Sequence, residues 1–112
     1  AYDEFLQGFL TERGKHRLLK KLQTEIIPAE FPQQKIPAAD IATYFNNTLE
    51  FGFKTEGSVI QLVKVLCYLS GDVSKLTHYW CELEKEYGND LTEVEISELL
   101  YEKVKIVMES KE

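Results

Sequence analysis

The chain is predicted to fold as an all-α protein, a compact bundle of about five helices, and three observations carry that expectation. Apolar residues recur at three- and four-residue intervals along most of the sequence. No stretch alternates strictly at two-residue spacing, as a half-buried strand would. Glycine, proline and small polar residues interrupt the pattern where short connections would fall. The 112 residues are enough for one helical domain, 1 to 112, with a modest core.

The first helical stretch is expected from Asp3 to about Ile27, with Phe5, Leu6, Phe9 and Leu10 on one face. Leu18, Leu19, Leu22 and Ile26 repeat the stripe. Gly14 lies between the halves and costs a helix about 1 kcal/mol relative to Ala, so a bend is expected there. Pro28, which has no N–H to donate, is expected to end the helix. From Pro28 to Pro37 three prolines predict an extended connector, with Phe31 as its anchor in the core.

Pro37 suits the first turn of a second helix, whose buried stripe is Ile41, Phe45, Thr48 and Leu49. Gly52 can end it in a left-handed conformation. Thr55 is a good N-cap for the third helix, with Glu56 next to it at the positive end of the dipole. This helix is the most apolar, with Val59, Ile60, Leu62, Val63, Val65, Leu66, Cys67 and Leu69, and is expected to be central. Gln61, Lys64 and Tyr68 mark its wetter stripe. Gly71 stops it.

Ser74 is expected to cap the fourth helix, which places Leu76, Tyr79, Trp80, Leu83 and Tyr87 on its apolar side and closes at Gly88. Thr92-Glu93-Val94-Glu95 reads as a capping box, with Thr92 as N-cap and Glu95 reaching back. The fifth helix then buries Ile96, Leu99, Leu100, Val104, Val107 and Met108, with Glu98 to Lys103 supplying its polar side.

A hydrophobic fraction of 44% and a charged fraction of 29% suit an ordinary globular protein rather than a disordered one. The net charge of −6 argues against general affinity for nucleic acid, whose phosphates need a basic surface. Lys15, His16, Arg17, Lys20 and Lys21 form one basic patch, and a nucleic-acid-associated or transcriptional domain is the alternative reading it supports. Helix–turn–helix spacing around Ser70-Gly71-Asp72 would, however, give a reading helix carrying Glu82, Glu84 and Glu86, which phosphates repel. No apolar run approaches the roughly 18 residues of a membrane span. The opening Ala1-Tyr2-Asp3-Glu4 lacks the basic-then-apolar order of a signal peptide, and two cysteines make no disulfide framework, so a reducing cytoplasm is expected.

His78 and Cys81 share a helical face; Cys67 could supply another zinc ligand, and His16 would have to complete the set from far away in sequence. Structural zinc prefers paired, closely spaced ligands, and a second pair is missing from the sequence. Cys67 with His78 also suggests a nucleophile and base, but Cys67 lies among aliphatic residues that hide it and raise its pKa. The glycines are isolated, so neither the phosphate-loop nor the dinucleotide motif occurs. No catalytic residue, cofactor or metal is therefore expected.

From Glu82 onward ten acidic residues face four lysines. If the last two helices pack side by side, their outer faces merge into one negative surface. Glu82, Glu86, Tyr87, Glu98, Tyr101 and Glu102 are accordingly the expected partner-binding residues, and the expected partner is a protein with a basic face.

The segment Leu49-Glu50-Phe51-Gly52-Phe53-Lys54-Thr55-Glu56, after Phe31-Pro32 and before a hydrophobic helix closing at Leu69-Ser70-Gly71-Asp72, resembles small helical proteins of bacterial type VI secretion. Those proteins are encoded beside secretion effectors in Gram-negative bacteria, and the resemblance spans residues 18 to 75. It implies a cytoplasmic accessory protein that binds a secreted toxin as immunity protein or loading partner. It implies no catalytic residues.

Overall fold

Thr11 opens the first helix: its backbone is extended and its hydroxyl accepts the Gly14 N–H at 3.0 Å. The computed structural model describes residues 11–110, and among them lie five helices and no strand. Helix α1 spans 12–30 in three joined pieces, α-helical Glu12–Lys21, a wider π-helical turn Leu22–Ile26, and α-helical Ile27–Glu30. Helices α2 (Ala38–Glu50), α3 (Glu56–Tyr68), α4 (Val73–Tyr87) and α5 (Glu93–Ser110) follow. The all-α bundle read from the periodicity is the observed architecture.

Two expectations for the first helix need correction. Gly14 does not break it, because it sits in the first turn, where its N–H is the one that Thr11 caps. The apolar stripe Phe5 to Leu10 lies outside the described residues. Nor does Pro28 end the helix. The Ile27 N–H donates to Leu22 O, five residues back, and this π turn widens the backbone just before the proline. A proline in a regular ladder would collide with the carbonyl four residues earlier; the wider turn accommodates it. The helix ends instead at Phe31, the residue before Pro32, with φ −125° and ψ 64°. Phe31 is buried, as expected of the connector's anchor, and its ring meets Tyr68 edge-on at 4.7 Å.

Pro37 takes the N-cap position of α2, and Ile41, Phe45 and Thr48 form its buried face. Gly52 ends the turn after α2 with φ +97°, as its position implied. Helix α3 is the centre of the bundle: Val59, Leu62, Val63, Val65 and Leu66 are all completely buried. Each such side chain stabilises the fold by about 1.5–3 kcal/mol relative to exposure. Helices α2 and α5 cover α3, and the α3–α5 contact is the most extensive in the molecule. The buried side chains form one connected core.

The link from α3 to α4 is tight. Ser70 and Gly71 both have positive φ, and a Cβ on Gly71 would lie 2.7 Å from Tyr44 Cε1. Only glycine fits there. Asp72, not Ser74, then caps α4, its carboxylate accepting the Lys75 N–H at 3.2 Å. The expected capping box at the start of α5 is present: Thr92 N–H donates to Glu95 and Glu95 N–H to the Thr92 hydroxyl. Helix α4 rests chiefly on α5 and only slightly on α3. Leu76 and Leu83 are its buried residues, while the half-buried Trp80 ring lies 6.0 Å from Phe51 and 5.4 Å from Phe53. Among the described residues no helix is long and apolar enough to cross a membrane.

Candidate functional site

Helices α4 and α5 are neighbours, joined on one side by an ion pair between Glu82 and Lys103 at 3.6 Å. Glu82 also lies 3.0 Å from His78 Nε2, so its charge is engaged within the fold. Glu86 follows one turn along α4 and is exposed. On α5, Glu98 and Glu102 are exposed one turn apart, and Ile106 continues their stripe at 65% exposure. No ion-pair partner lies within 4 Å of Glu86, Glu98 or Glu102 among the described residues. Tyr87, at the end of α4, is 49% exposed. Four of the six expected partner-binding residues therefore present themselves to solvent on two adjoining helices.

Tyr101 does not belong with them. It is half-buried, and its hydroxyl donates to Glu30 Oε2 at 2.5 Å. Tyr68 donates to the same oxygen at 2.8 Å, and Lys64 Nζ lies 3.6 Å from Glu30 Oε1. Lys64 and Lys105 each approach the Tyr101 ring, 5.5 Å from its centroid. The stripe of α3 expected to be wet is thus covered by the end of α1 and by α5. Burial alone would raise the Glu30 pKa. Hydrogen bonds from Tyr101 and Tyr68, with the charges of Lys64 and Lys105, outweigh burial and hold the carboxyl below its usual range. Burial and the bond to Glu30 push Tyr101 up to about 12, and Tyr68 is raised as well. This knot joins three helices.

Glu93, the first residue of α5, makes a second carboxylate junction. Its Oε2 accepts the Lys54 N–H at 2.8 Å, the Thr55 N–H at 2.7 Å, and the Thr55 and Ser58 hydroxyls. Thr55 holds the N-cap position of α3 as expected, but its own side chain makes no capping bond. Its own N–H donates instead to Glu93, 38 positions away. Burial works against the charge, and these four donors more than offset it, so the Glu93 pKa lies below its ordinary value.

The thiols are separated in character. Cys67 is buried, and burial followed by the nearby charge of Asp40 pushes its pKa up to about 12. Cys81 and His78 are exposed on α4. Among the described residues no group of three or more His, Cys, Asp or Glu side chains is arranged to hold a metal ion. The basic patch lies on α1, where Lys15 pairs with Glu12 at 3.2 Å and His16, Arg17, Lys20 and Lys21 are exposed.

One further feature joins α4 to its surroundings. Two hollows of about 230 and 200 Å³ flank Trp80 and Ile96, and both residues line both hollows. Leu83, Glu84 and Leu91 border the first; Phe51, Phe53 and Glu93 border the second. Periodicity placed Trp80 and Ile96 correctly on apolar faces but carried no sign that those faces stay partly open. Glu30 and Glu93 were missed because their partners lie far away in sequence. Comparison with protein-family models, with curated proteins and with solved structures returns no significant match.

Proposed function

We propose that this chain is a non-catalytic protein-binding module whose outer α4–α5 face receives a partner with a basic surface. The observation that carries the reading is the set of exposed carboxylates Glu86, Glu98 and Glu102 across two adjoining helices, without an ion-pair partner among the described residues. Such a field speeds encounter with a cationic surface and fixes its orientation. Tyr87 and Ile106, exposed at either helix's end, add the aromatic and aliphatic area that interfaces use for affinity. The half-buried carboxylates Glu30 and Glu93 are committed to internal bonds, which suits a rigid platform better than acid–base chemistry. Within this reading, the resemblance to type VI secretion accessory proteins makes a secreted toxin or effector the first partner to test, in a cytoplasmic setting.

The test is to purify the partner retained by the immobilised chain and to measure association with a Glu86→Lys, Glu98→Lys, Glu102→Lys variant. Association should slow by about tenfold or more at low salt and lose most of its salt dependence, with helicity and Tm unchanged. Equal association rates for the two chains would remove the acidic face from the mechanism.

A further inference from the structure

The hollows beside Trp80 lie at the end of the bundle where α4 stops, α5 begins and the α2–α3 turn passes. Their volumes, about 230 and 200 Å³, fall below the roughly 300–1,000 Å³ of small-molecule and cofactor pockets. They are of a size for individual side chains. Their walls are largely apolar: Trp80, Leu83, Leu91 and Ile96 in one, Phe51 and Phe53 with the shared pair in the other.

The charged residues that line them, Glu84 and Glu93, are both acidic. Glu84 borders the larger hollow, and Asp90 is exposed in the adjoining loop. Helix α4 ends at the same rim, at Gly88, and the last carbonyls of a helix carry partial negative charge. Among the described residues that line the hollows, none is basic.

We propose that this groove is the anchor site for a basic, amphipathic helical segment of the partner, two of whose apolar side chains enter on either side of Trp80 and Ile96. Lysines or arginines flanking those anchors meet Glu84, Asp90 and the carbonyl end of α4. This is helix-in-groove recognition, in which pockets supply affinity and surrounding charge supplies direction. The inference rests on the reading of a basic protein partner and adds the place where that partner is gripped.

Trp80 is the only tryptophan in the chain, so its fluorescence reports directly on the groove. The probe is a model helical peptide with leucines at every third and fourth position and lysines elsewhere, compared with its leucine–glutamate counterpart. The lysine peptide should shift Trp80 emission to the blue along a saturable curve, with affinity at least about tenfold above that of the glutamate peptide at low salt. Glu84→Lys and, separately, Leu91→Arg should each weaken that binding about tenfold while leaving the helical spectrum intact. No emission change with the lysine peptide, or equal binding of both peptides, would overturn the proposal. A blue shift on concentrating the chain alone, with dimers in sedimentation, would assign the groove to a second copy and overturn it too. Binding that survives Glu84→Lys and Leu91→Arg but vanishes on reversing Glu98 and Glu102 would reject the groove and keep the acidic face. The opposite pattern would keep the groove and reject that face.

Discussion

Tyr101 on the last helix donates its hydroxyl to Glu30 at the end of the first, a 2.5 Å bond between residues 71 apart in sequence. Tyr68 donates to the same oxygen from the central helix, so one carboxylate fastens three helices together. Replacing Glu30 by Gln keeps the shape and removes the charge that both phenols and Lys64 address. Denaturant unfolding should register a loss of about 1–3 kcal/mol. Tyr68→Phe and Tyr101→Phe should each cost about 1 kcal/mol. Their double variant should cost more than the sum, because two donors sharing one oxygen weaken each other and either one alone keeps more than half of the pair's contribution.

The same junction sets a dependence on pH from both sides. Glu30 and Glu93 have pKa values below the ordinary 4.5, so their contribution is complete above that value and is lost as pH falls through the lowered ones. Tyr101 is raised from 10 to about 12, so its contribution is complete below pH 10 and disappears as pH rises toward 12. Melting curves across pH should therefore fall off at both extremes. In Glu30→Gln the alkaline loss should shrink, and an absorbance titration should show Tyr101 ionising nearer its ordinary range. An unaltered tyrosinate titration in that variant would contradict the geometry.

Glu93 ties the entry of α3 to the start of α5 by accepting the Lys54 and Thr55 N–H groups. Glu93→Ala strands the Lys54 and Thr55 amides together with two hydroxyls, and should lower stability by about 1–3 kcal/mol. Hydrogen exchange at the start of α3 should accelerate. The exposed Glu95 caps only its own helix, so Glu95→Ala should loosen the first turn of α5 and leave α3 protected.

Core and surface should separate sharply. Leu66 is fully buried in α3, and Leu66→Ala should cost about 2–5 kcal/mol. Ile106 is 65% exposed, and Ile106→Ala should change stability by less than about 0.5 kcal/mol. Comparable effects in chemical denaturation would mean that the two helices face other directions.

Gly71→Ala combines two penalties, a φ of +80° and a 2.7 Å approach to Tyr44 Cε1. The left-handed backbone alone costs about 1–2 kcal/mol for a residue with a Cβ. In a Tyr44→Ala background Gly71→Ala should cost less than in the native chain, because the contact is gone, which melts of both single variants and the double variant would reveal.

What was legible in the sequence was what repeats or acts locally. The apolar run Val59 to Leu69 announced a central helix, and Thr92 with Glu95 announced a cap within three residues. Local rules failed where a neighbour intervened. Pro28 would have ended an ordinary α-helix, but the π turn ahead of it removes the collision. Lys64 read as a surface residue because it shares a helical stripe with Gln61 and Tyr68, and Tyr101 because Glu98 and Glu102 stand beside it; only packing places Glu30 over both. Of the candidate face, the exposure of Glu86, Glu98 and Glu102 followed from spacing. The capture of Glu82 by Lys103 did not, because that pairing depends on how α4 seats on α5.

That seating has a consequence for how the molecule is born. Residues 73–87 are synthesised before residues 93–110, yet the later segment forms most of the surface on which the earlier one rests. The same later segment covers the central helix and brings Tyr101 to Glu30 and Glu93 to Thr55. During synthesis the first three helices can collapse together, while the fourth lacks most of its seat until residues 93–110 have emerged. The order of translation thus opposes the order of docking, and a fragment ending near residue 90 would display an apolar helix without its main seat to any chaperone within reach.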